Sequence, residues 1–480
     1  MGENRMNGQN MNNVPLWIDN KSVQSKTTFS VINSTTQKEV WTASAADVEI
    51  AREAVDSASR TFQLWAHTHP TERRRIFFKA AELFRSRRDE IIETMVQETN
   101  CSREWAAGIN MHMGVEFLEE LASLATTCSM GWLPTTETEN RLALVFREPY
   151  GVVLGIAPWN APFILAIRAV ATPIICGNTA VLKASELSPK THNIIGQVFR
   201  EAGLPPGVLN IIQHAREDAA DVVNALIAHP AVRKINFTGS TAVGRIIAQQ
   251  AGRHLKPVLL ELGGKASCIV LEDADLVKAA KAVVMGGFLH HGQICMATER
   301  VIVMRPVAEA FLKILEEEAH GFVVGNAVST DGAKQTASLV QTAVGQGARL
   351  EFGHPSCLNA SLQPTILSGV TKDMDLFYAE SFGPTLSLTA VDTVDEAIAL
   401  ANDTGYGLSA SIYSKNIPKA LRCARRIETG ACHINAMTVH DEPFLPHGGV
   451  KESGFGRFGA QWGMDEFLHV RTVTILDEEK

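Results

Sequence analysis

Eight cysteines are spread through 480 residues without C-x-x-C spacing, so neither a disulfide framework nor a metal site is expected. One of them has a distinctive setting. Cys295 lies in His291-Gly292-Gln293-Ile294-Cys295-Met296, behind a glycine that permits a tight turn. A nucleophilic cysteine must be reachable and must give up its proton, which calls for such a turn and for electropositive surroundings such as free backbone N–H groups. Residue type alone leaves open the alternative of a small buried hydrophobe after a turn.

Other segments set polar groups at strand ends. Val258-Leu259-Leu260-Glu261-Leu262-Gly263-Gly264-Lys265 carries a carboxylate where an apolar run gives way to two glycines. In an open α/β sheet ligands gather beyond the carboxyl ends of strands, so Glu261 stands where a general base toward water would be useful. Pro158-Trp159-Asn160-Ala161-Pro162 follows the apolar run Val152 to Ile156. The amide of Asn160 can stabilise an oxyanion without protonating it, although Asn before Ala-Pro is also a turn former.

Ile235-Asn236-Phe237-Thr238-Gly239-Ser240-Thr241-Ala242-Val243-Gly244 runs from strand to helix through Gly239 and Ser240. Its free N–H groups at the helix start suit a phosphate, but the G-x-x-x-x-G spacing is neither the usual dinucleotide fingerprint nor a Walker loop. Lys183-Ala184-Ser185-Glu186 follows the run Thr179 to Leu182, so Lys183 and Glu186 can flank a ribose, the acid accepting from its hydroxyls. Glu380-Ser381-Phe382-Gly383-Pro384 joins a carboxylate and an aromatic ring before a Gly-Pro turn. Each charged loop residue, taken singly, also fits a solvated surface position.

The elements that must position these groups are legible from the pattern. A chain of this length exceeds one ordinary hydrophobic core and should divide into two large domains. Amphipathic helices are expected over 47–65 and 70–98. From 142 onward short apolar runs alternate with helical stretches: Leu142 to Phe146, Gly151 to Ile156, Thr179 to Leu182, Val208 to Ile212, Lys234 to Phe237 and Val258 to Leu260. Such alternation builds a parallel, doubly wound sheet. A second series runs from Ser267 to about Val439, and the last strand, Val470 to Leu476, is expected to pair with Leu142 to Phe146 or with a neighbouring subunit.

Composition narrows the partners. Hydrophobic residues make up 45% and charged residues 20%, with a net charge of −8, which suits a soluble globular protein and argues against a nucleic-acid partner. Met1 to Val14 are polar and Asn-rich, no apolar run is long enough to span a bilayer, and Asp477-Glu478-Glu479-Lys480 is no retention or peroxisomal signal. A cytoplasmic protein without membrane attachment is expected.

Taken together and in this order, the Pro-Trp-Asn, Lys-x-Ser-Glu, Phe-Thr-Gly-Ser-Thr, Glu-Leu-Gly-Gly-Lys, Gly-Gln-x-Cys and Glu-x-Phe-Gly-Pro segments resemble the aldehyde dehydrogenase superfamily over essentially the whole chain. Gly448-Gly449-Val450-Lys451-Glu452-Ser453-Gly454 is similar to its closing loop. The resemblance implies an α/β fold with a variant Rossmann NAD-binding domain (1–128 and 151–262), an α/β catalytic domain (263–446) and a small β oligomerisation element (129–150 and 464–480). It implies attack by Cys295 on an aldehyde, an oxyanion held by the Asn160 amide and the Cys295 N–H, hydride transfer to NAD, and water activated by Glu261 to hydrolyse the thioester. Lys183 and Glu186 would hold the adenosine ribose, Gly239 and Ser240 with Trp159 the pyrophosphate, and Glu380 with Phe382 the nicotinamide end. A carboxylate at Glu186 would repel the 2′-phosphate of NADP, which favours NAD. A homodimer or homotetramer is implied as well.

Within the superfamily the chain is most similar to salicylaldehyde, vanillin and benzaldehyde dehydrogenases. Arg168 stands where many relatives carry an aromatic residue and would bond a ring hydroxyl, with Trp105, Ile294 and Met296 completing an aromatic-aldehyde pocket. A structural ion pair for Arg168 and a core position for Trp105 are the alternatives. Two departures stand out. The stretch between Cys295 and Glu380 is short, with the gap at Ala327 to Thr336, and His290 replaces a frequent Asn. The shortening keeps a second reading open, a catalytically impaired relative acting as a binding or structural protein. Relatives that pass the thioester to CoA or phosphate generally lack a Glu at position 261.

Overall fold

The computed structural model describes residues 13–476. The polar start, Met1 to Asn12, and the closing Asp477-Glu478-Glu479-Lys480 lie outside the described residues. Two sheets organise the rest. In the first, Val258–Glu261, Val232–Thr238, Val152–Ile156, Thr179–Lys183 and Leu209–Ile212 lie side by side in that order and run parallel. Chain order reverses between Val152–Ile156 and Val232–Thr238, which makes that junction the topological switch point, the crevice where such sheets bind ligands. These strands are buried on both faces, as their unbroken Val, Ile and Leu runs require.

The helix Pro162–Ile175 connects the first two parallel strands, starts on a proline and is buried along its whole length. An apolar helix of that kind cannot lie at a surface, and it packs against the sheet at Gly155, where an added Cβ would press on the Ala169 carbonyl. The segment just before it, carrying Asn160, is fixed at the base of a rigid element. Ser240 caps the helix Thr241–Arg253, its hydroxyl accepting from the Val243 N–H at 3.4 Å.

The second sheet orders Thr365–Ser368, Thr385–Val391, Thr298–Met304, Ala266–Val270, Ser409–Tyr413 and Ala431–Ile434 in parallel, with Arg349–Phe352 antiparallel at one edge. Only four residues separate the last parallel strand of the first sheet from the start of the second. The thiol and the carboxylate are thus set on neighbouring structures. Gly454–Phe455 returns to the first sheet and pairs with Val258–Glu261, so the chain crosses between the sheets twice beside the glutamate. The long ribbon Arg141–Pro149 pairs antiparallel with Leu468–Leu476 over nine residue pairs, the first of the two pairings expected for the last strand.

Several expectations needed adjustment. The amphipathic run 70–98 forms two helices, Pro70–Ser86 and Arg88–Thr99, divided at Arg87. The Arg87 guanidinium binds Glu90 and Gln197, so the break serves contacts distant in sequence. Short strands between Asn13 and Ser44, absent from the periodicity reading, form a small sheet and extend the first sheet. The shortened stretch does not expose core. Ala327 and Val328 are buried, Ala327 bonds the Ala360 carbonyl at 2.8 Å, and the helix Thr330–Gly345 begins at once with a Ser329 cap. Among the described residues no helix is long and apolar enough to cross a membrane.

Asn178, fully buried, joins three parts of this frame. Its Oδ1 accepts from the Gly151 N–H at 3.1 Å, and its Nδ2 donates to the carbonyls of Pro173 at 3.1 Å and Phe467 at 2.9 Å. Asn178→Ala is expected to cost about 2–3 kcal/mol by leaving buried backbone groups without partners. The urea midpoint would fall at unchanged m-value, and an unmoved midpoint would remove Asn178 from that role.

Candidate active site

The loop that presents Cys295 is built from unusual backbone. His290, His291 and Gly292 take φ of 48°, 60° and 69° in succession, a left-handed run that L-residues adopt only when surrounding contacts enforce it. At Gly292 a Cβ would strike the Gly383 carbonyl, and at Gly264 it would strike the carbonyl of Cys295 itself. Both glycines are therefore required by close approach. Gln293 braces the loop: its side-chain oxygen accepts from the Val328 N–H at 2.9 Å and its amide donates to the His290 carbonyl at 3.1 Å. The shortened stretch is thereby part of the support beneath the thiol.

Asn160 reaches this loop from the first sheet. Its Nδ2 donates to the Gln293 carbonyl at 2.9 Å, which uses one of two amide protons and fixes the side chain two residues from the thiol. Among the described residues the Cys295 N–H has no hydrogen-bond acceptor. An orphan N–H beside a second amide donor is the arrangement an oxyanion needs.

Glu261 ends its strand fully buried, and neither carboxylate oxygen has a hydrogen-bond donor in contact. Burial by itself would raise its pKa, but His447 and Arg168, with the Cys295 thiol, outweigh that and hold it below the usual carboxylate range. The Cys295 thiol moves the other way. Burial, then the neighbouring Glu261 charge, push it well above the usual thiol range, with Glu380 adding to the rise and only Arg168 opposing it. The free backbone N–H expected beside the thiol is present, while burial and the Glu261 charge disfavour the ionised form of the sulfur.

Arg168 stands at 4% exposure. Its Nη1 bonds Asp441 Oδ2 at 2.8 Å, its Nη2 lies 3.9 Å from Glu261 Oε2, and its guanidinium covers the Phe458 ring at 4.6 Å. It therefore makes an ion pair, as one alternative held, and it does so beside the candidate base. Trp105 donates from Nε1 to the Asn160 carbonyl at 3.2 Å and stacks on His290 at 4.9 Å. Burial pushes the His290 imidazole down to about 3, so the ring against the indole is neutral. Trp105, Ile294 and Met296 share one apolar cluster.

The groups expected to hold a dinucleotide surround the switch point. Trp159 follows one flanking strand, Gly239 and Ser240 the other, and Lys183 and Glu186 follow the adjacent Thr179–Lys183 strand. Burial lowers the Lys183 pKa while the facing Glu186 raises it, and among the described residues neither side chain has a hydrogen-bonded or ion-paired protein partner. Two opposite charges left free at a strand end fit the hydroxyls of a ribose. Trp159 meets Phe382 edge to face at 5.8 Å. Glu380 Oε1 accepts from the Gly264 N–H at 2.8 Å, and burial, followed by repulsion from Glu299, pushes its carboxyl up to about 8.

Sequence reading missed Asp441, His447 and Phe458. His447 directly precedes the Gly448-Gly449 pair of the closing loop, and that adjacency was the available signal. Asp441 and Phe458 carry no local mark, since their contacts to Arg168 span 273 and 290 residues.

A two-sheet α/β frame with a cysteine, an amide and a buried carboxylate at the sheet junction defines a class. Residues 17–473 match the model of the aldehyde dehydrogenase family, and the chain belongs to that family. It is 45% identical to vanillin dehydrogenase of Pseudomonas fluorescens, over 97% of this chain and 98% of that one. The crystal structure of a salicylaldehyde dehydrogenase from Pseudomonas putida G7, complexed with salicylaldehyde, superposes with a TM-score of 0.95 at 39% identity, covering 98% of this chain and 99% of that one. An NAD-dependent aldehyde dehydrogenase from Sinorhizobium meliloti gives 0.93 at 33% identity, covering 97% and 95%. Such full-length likeness leaves the impaired binding protein without support.

The neutral resting thiol has a measurable consequence. Alkylation of Cys295 by iodoacetamide near neutral pH is expected to be slower than that of free cysteine, and several-fold faster in Glu261→Gln, because the carboxylate is the charge that disfavours the thiolate. Peptide mapping of the modified cysteine against time reads both rates. Faster reaction than free cysteine in the unaltered protein would mean a resting thiolate instead.

Proposed function

We propose that this chain oxidises aromatic aldehydes, hydroxylated benzaldehydes foremost, to carboxylic acids with NAD as hydride acceptor. The observation that carries this reading is the convergence of Cys295, Asn160 and Glu261: a thiol facing an ionised carboxylate, with an unused backbone N–H and a fixed amide beside it. In this reading the thiol proton passes to Glu261 as sulfur bonds to the aldehyde carbon. The carbonyl electron pair moves onto oxygen, which takes hydrogen bonds from the Asn160 amide and the Cys295 N–H. What NAD supplies when bound is an acceptor for the hydride that leaves the former aldehyde carbon as the carbonyl reforms. A thioester then remains on Cys295.

Glu261, once it has released its proton to solvent, takes another from water. The resulting hydroxide adds to the thioester carbonyl, the carbon–sulfur bond breaks, and the acid departs while sulfur regains a proton. Lys183 and Glu186 would hold the adenosine ribose, Gly239, Ser240 and Trp159 the pyrophosphate, and Glu380 with Phe382 the nicotinamide end. The Glu186 carboxylate favours a free 2′-hydroxyl over a 2′-phosphate, hence NAD over NADP. The pocket would be closed by Trp105, Ile294, Met296 and Arg168, in keeping with relatives named for vanillin and salicylaldehyde.

The expected domain division, a cytoplasmic location and assembly into a homodimer or homotetramer belong to the same reading. Assembly would use the Arg141–Pro149 and Leu468–Leu476 ribbon, on which Phe146, Val470 and Ile475 are exposed.

Cys295→Ala is expected to abolish aldehyde-dependent NADH formation while NAD still binds, as followed by quenching of tryptophan fluorescence. Full residual activity would refute the assignment. Arg168→Leu is expected to raise KM for salicylaldehyde and vanillin more than for benzaldehyde. Equal changes in an absorbance assay would take Arg168 out of the substrate pocket.

A further inference from the structure

Glu261 is faced by a basic side chain on each of its oxygens, and both of these side chains lead to the same acid. Arg168 Nη2 lies 3.9 Å from Glu261 Oε2, and His447 Nε2 lies 3.9 Å from Glu261 Oε1. Asp441 completes the ring: Oδ2 accepts from Arg168 Nη1 at 2.8 Å, and Oδ1 lies 3.7 Å from His447 Nδ1. The four side chains come from three places, the Val258–Glu261 strand, the Pro162–Ile175 helix and the segment that returns from the second sheet. The His447 backbone is fastened by two hydrogen bonds to Phe458, at 3.0 and 2.7 Å, and the Phe458 ring supports the Arg168 guanidinium.

The distances matter. At 3.9 Å neither side chain donates a hydrogen bond to Glu261, so both carboxylate oxygens stay open to accept a proton beside the Arg168 charge and the His447 ring. Tighter pairing would stabilise the carboxylate but occupy the lone pairs that chemistry needs. Asp441 holds Arg168 by a hydrogen bond and lies beside His447.

We propose that Asp441 and His447 are positioning residues for Glu261: Asp441 tethers Arg168 and His447 in a ring around the carboxylate, and this ring governs the rate and pH range of thioester hydrolysis. The proposal rests on the reading of Glu261 as the base. Burial alone would drive Glu261 toward its neutral form, and His447 and Arg168 are what reverse this. The groups facing it are Arg168, His447 and the Cys295 thiol, with the Glu380 carboxyl, itself pushed up to about 8, nearby. The sign follows: removing either side chain raises the pKa of Glu261, so the carboxylate is lost at a higher pH on the acid side and hydrolysis fails sooner as pH falls.

The test needs no dinucleotide. Cys295 is benzoylated with 4-nitrophenyl benzoate, excess reagent is removed, and loss of the benzoyl group is followed by intact-protein mass across the acidic to neutral range. The stoichiometry of benzoylation counts competent thiols, so a misfolded fraction does not enter the rate. His447→Gln is expected to move the acid limb upward, each unit of displacement corresponding to about tenfold slower hydrolysis at a fixed acidic pH. Asp441→Asn is expected to slow hydrolysis several-fold on the plateau, where a merely structural change would leave the rate per benzoylated thiol unaltered. Glu261→Gln is measured alongside. Slow hydrolysis in Glu261→Gln with unaltered rates and pH profile in both ring variants would overturn the ring proposal alone. Unaltered hydrolysis in Glu261→Gln would instead overturn the reading of Glu261 as base.

Discussion

The hydrogen bond from the Asn160 amide to the Gln293 carbonyl links the two halves of the chemistry. Asn160 belongs to the first sheet and Gln293 to the loop that leads into the second. Without that link, the oxyanion donor and the nucleophile would be set by independent structures, and catalytic geometry tolerates little looseness. Everything around it is arranged to keep it fixed. The wholly buried Pro162–Ile175 helix anchors one end, and the left-handed run from His290 to Gly292, braced by the Gln293 side chain, anchors the other. Trp105 adds a third constraint by donating to the Asn160 backbone carbonyl while stacking on His290.

A buried carboxylate beside a half-buried thiol poses an electrostatic problem. An isolated charge in that position would neutralise itself, because desolvation of a carboxylate costs several kcal/mol even after relaxation. Here the charge stays on Glu261 and the thiol stays neutral, since Arg168 and His447 favour the carboxylate and no cation bonds the sulfur. Nucleophile and base thus share one proton economy: the same charge that suppresses the resting thiolate is the acceptor that can take the thiol proton when an aldehyde arrives. Glu380 shows the contrary outcome, for with Glu299 near it and few compensating charges its carboxyl rises to about 8.

The parts legible in the sequence were those encoded by neighbours in the chain. Alternating apolar runs located the parallel strands to within a residue or two, and the glycines around Glu261 and Cys295 marked turns that proved to be close approaches of backbone. What stayed hidden is non-local. The division at Arg87 answers to Gln197, and the Leu16–Ile18 strand finds its partner at Ile211, far along the chain. Arg168 announced itself as unusual, but its partner Asp441 lies 273 residues away, beyond the reach of any periodicity. The proximity of Glu261 to the thiol was hidden for the same reason, because it depends on which strand end meets which loop.

The stretch from Ala327 to Thr336 illustrates how a short connection is held when its ends acquire partners. Ala327 is held from two sides, donating to the Ala360 carbonyl while its own carbonyl accepts from the Ser34 hydroxyl, and Ala327, Ala333 and Ala360 close into a small apolar cluster. Small side chains are what allow this, because three alanines can approach where a longer loop would have needed space. Thr336 then donates to the Ser381 carbonyl at 2.8 Å, next to Glu380 and Phe382. The connection therefore spans directly from the support of the nucleophile loop to the turn assigned to the nicotinamide end. Val328 and Thr336 thereby supply one hydrogen bond to each of those segments.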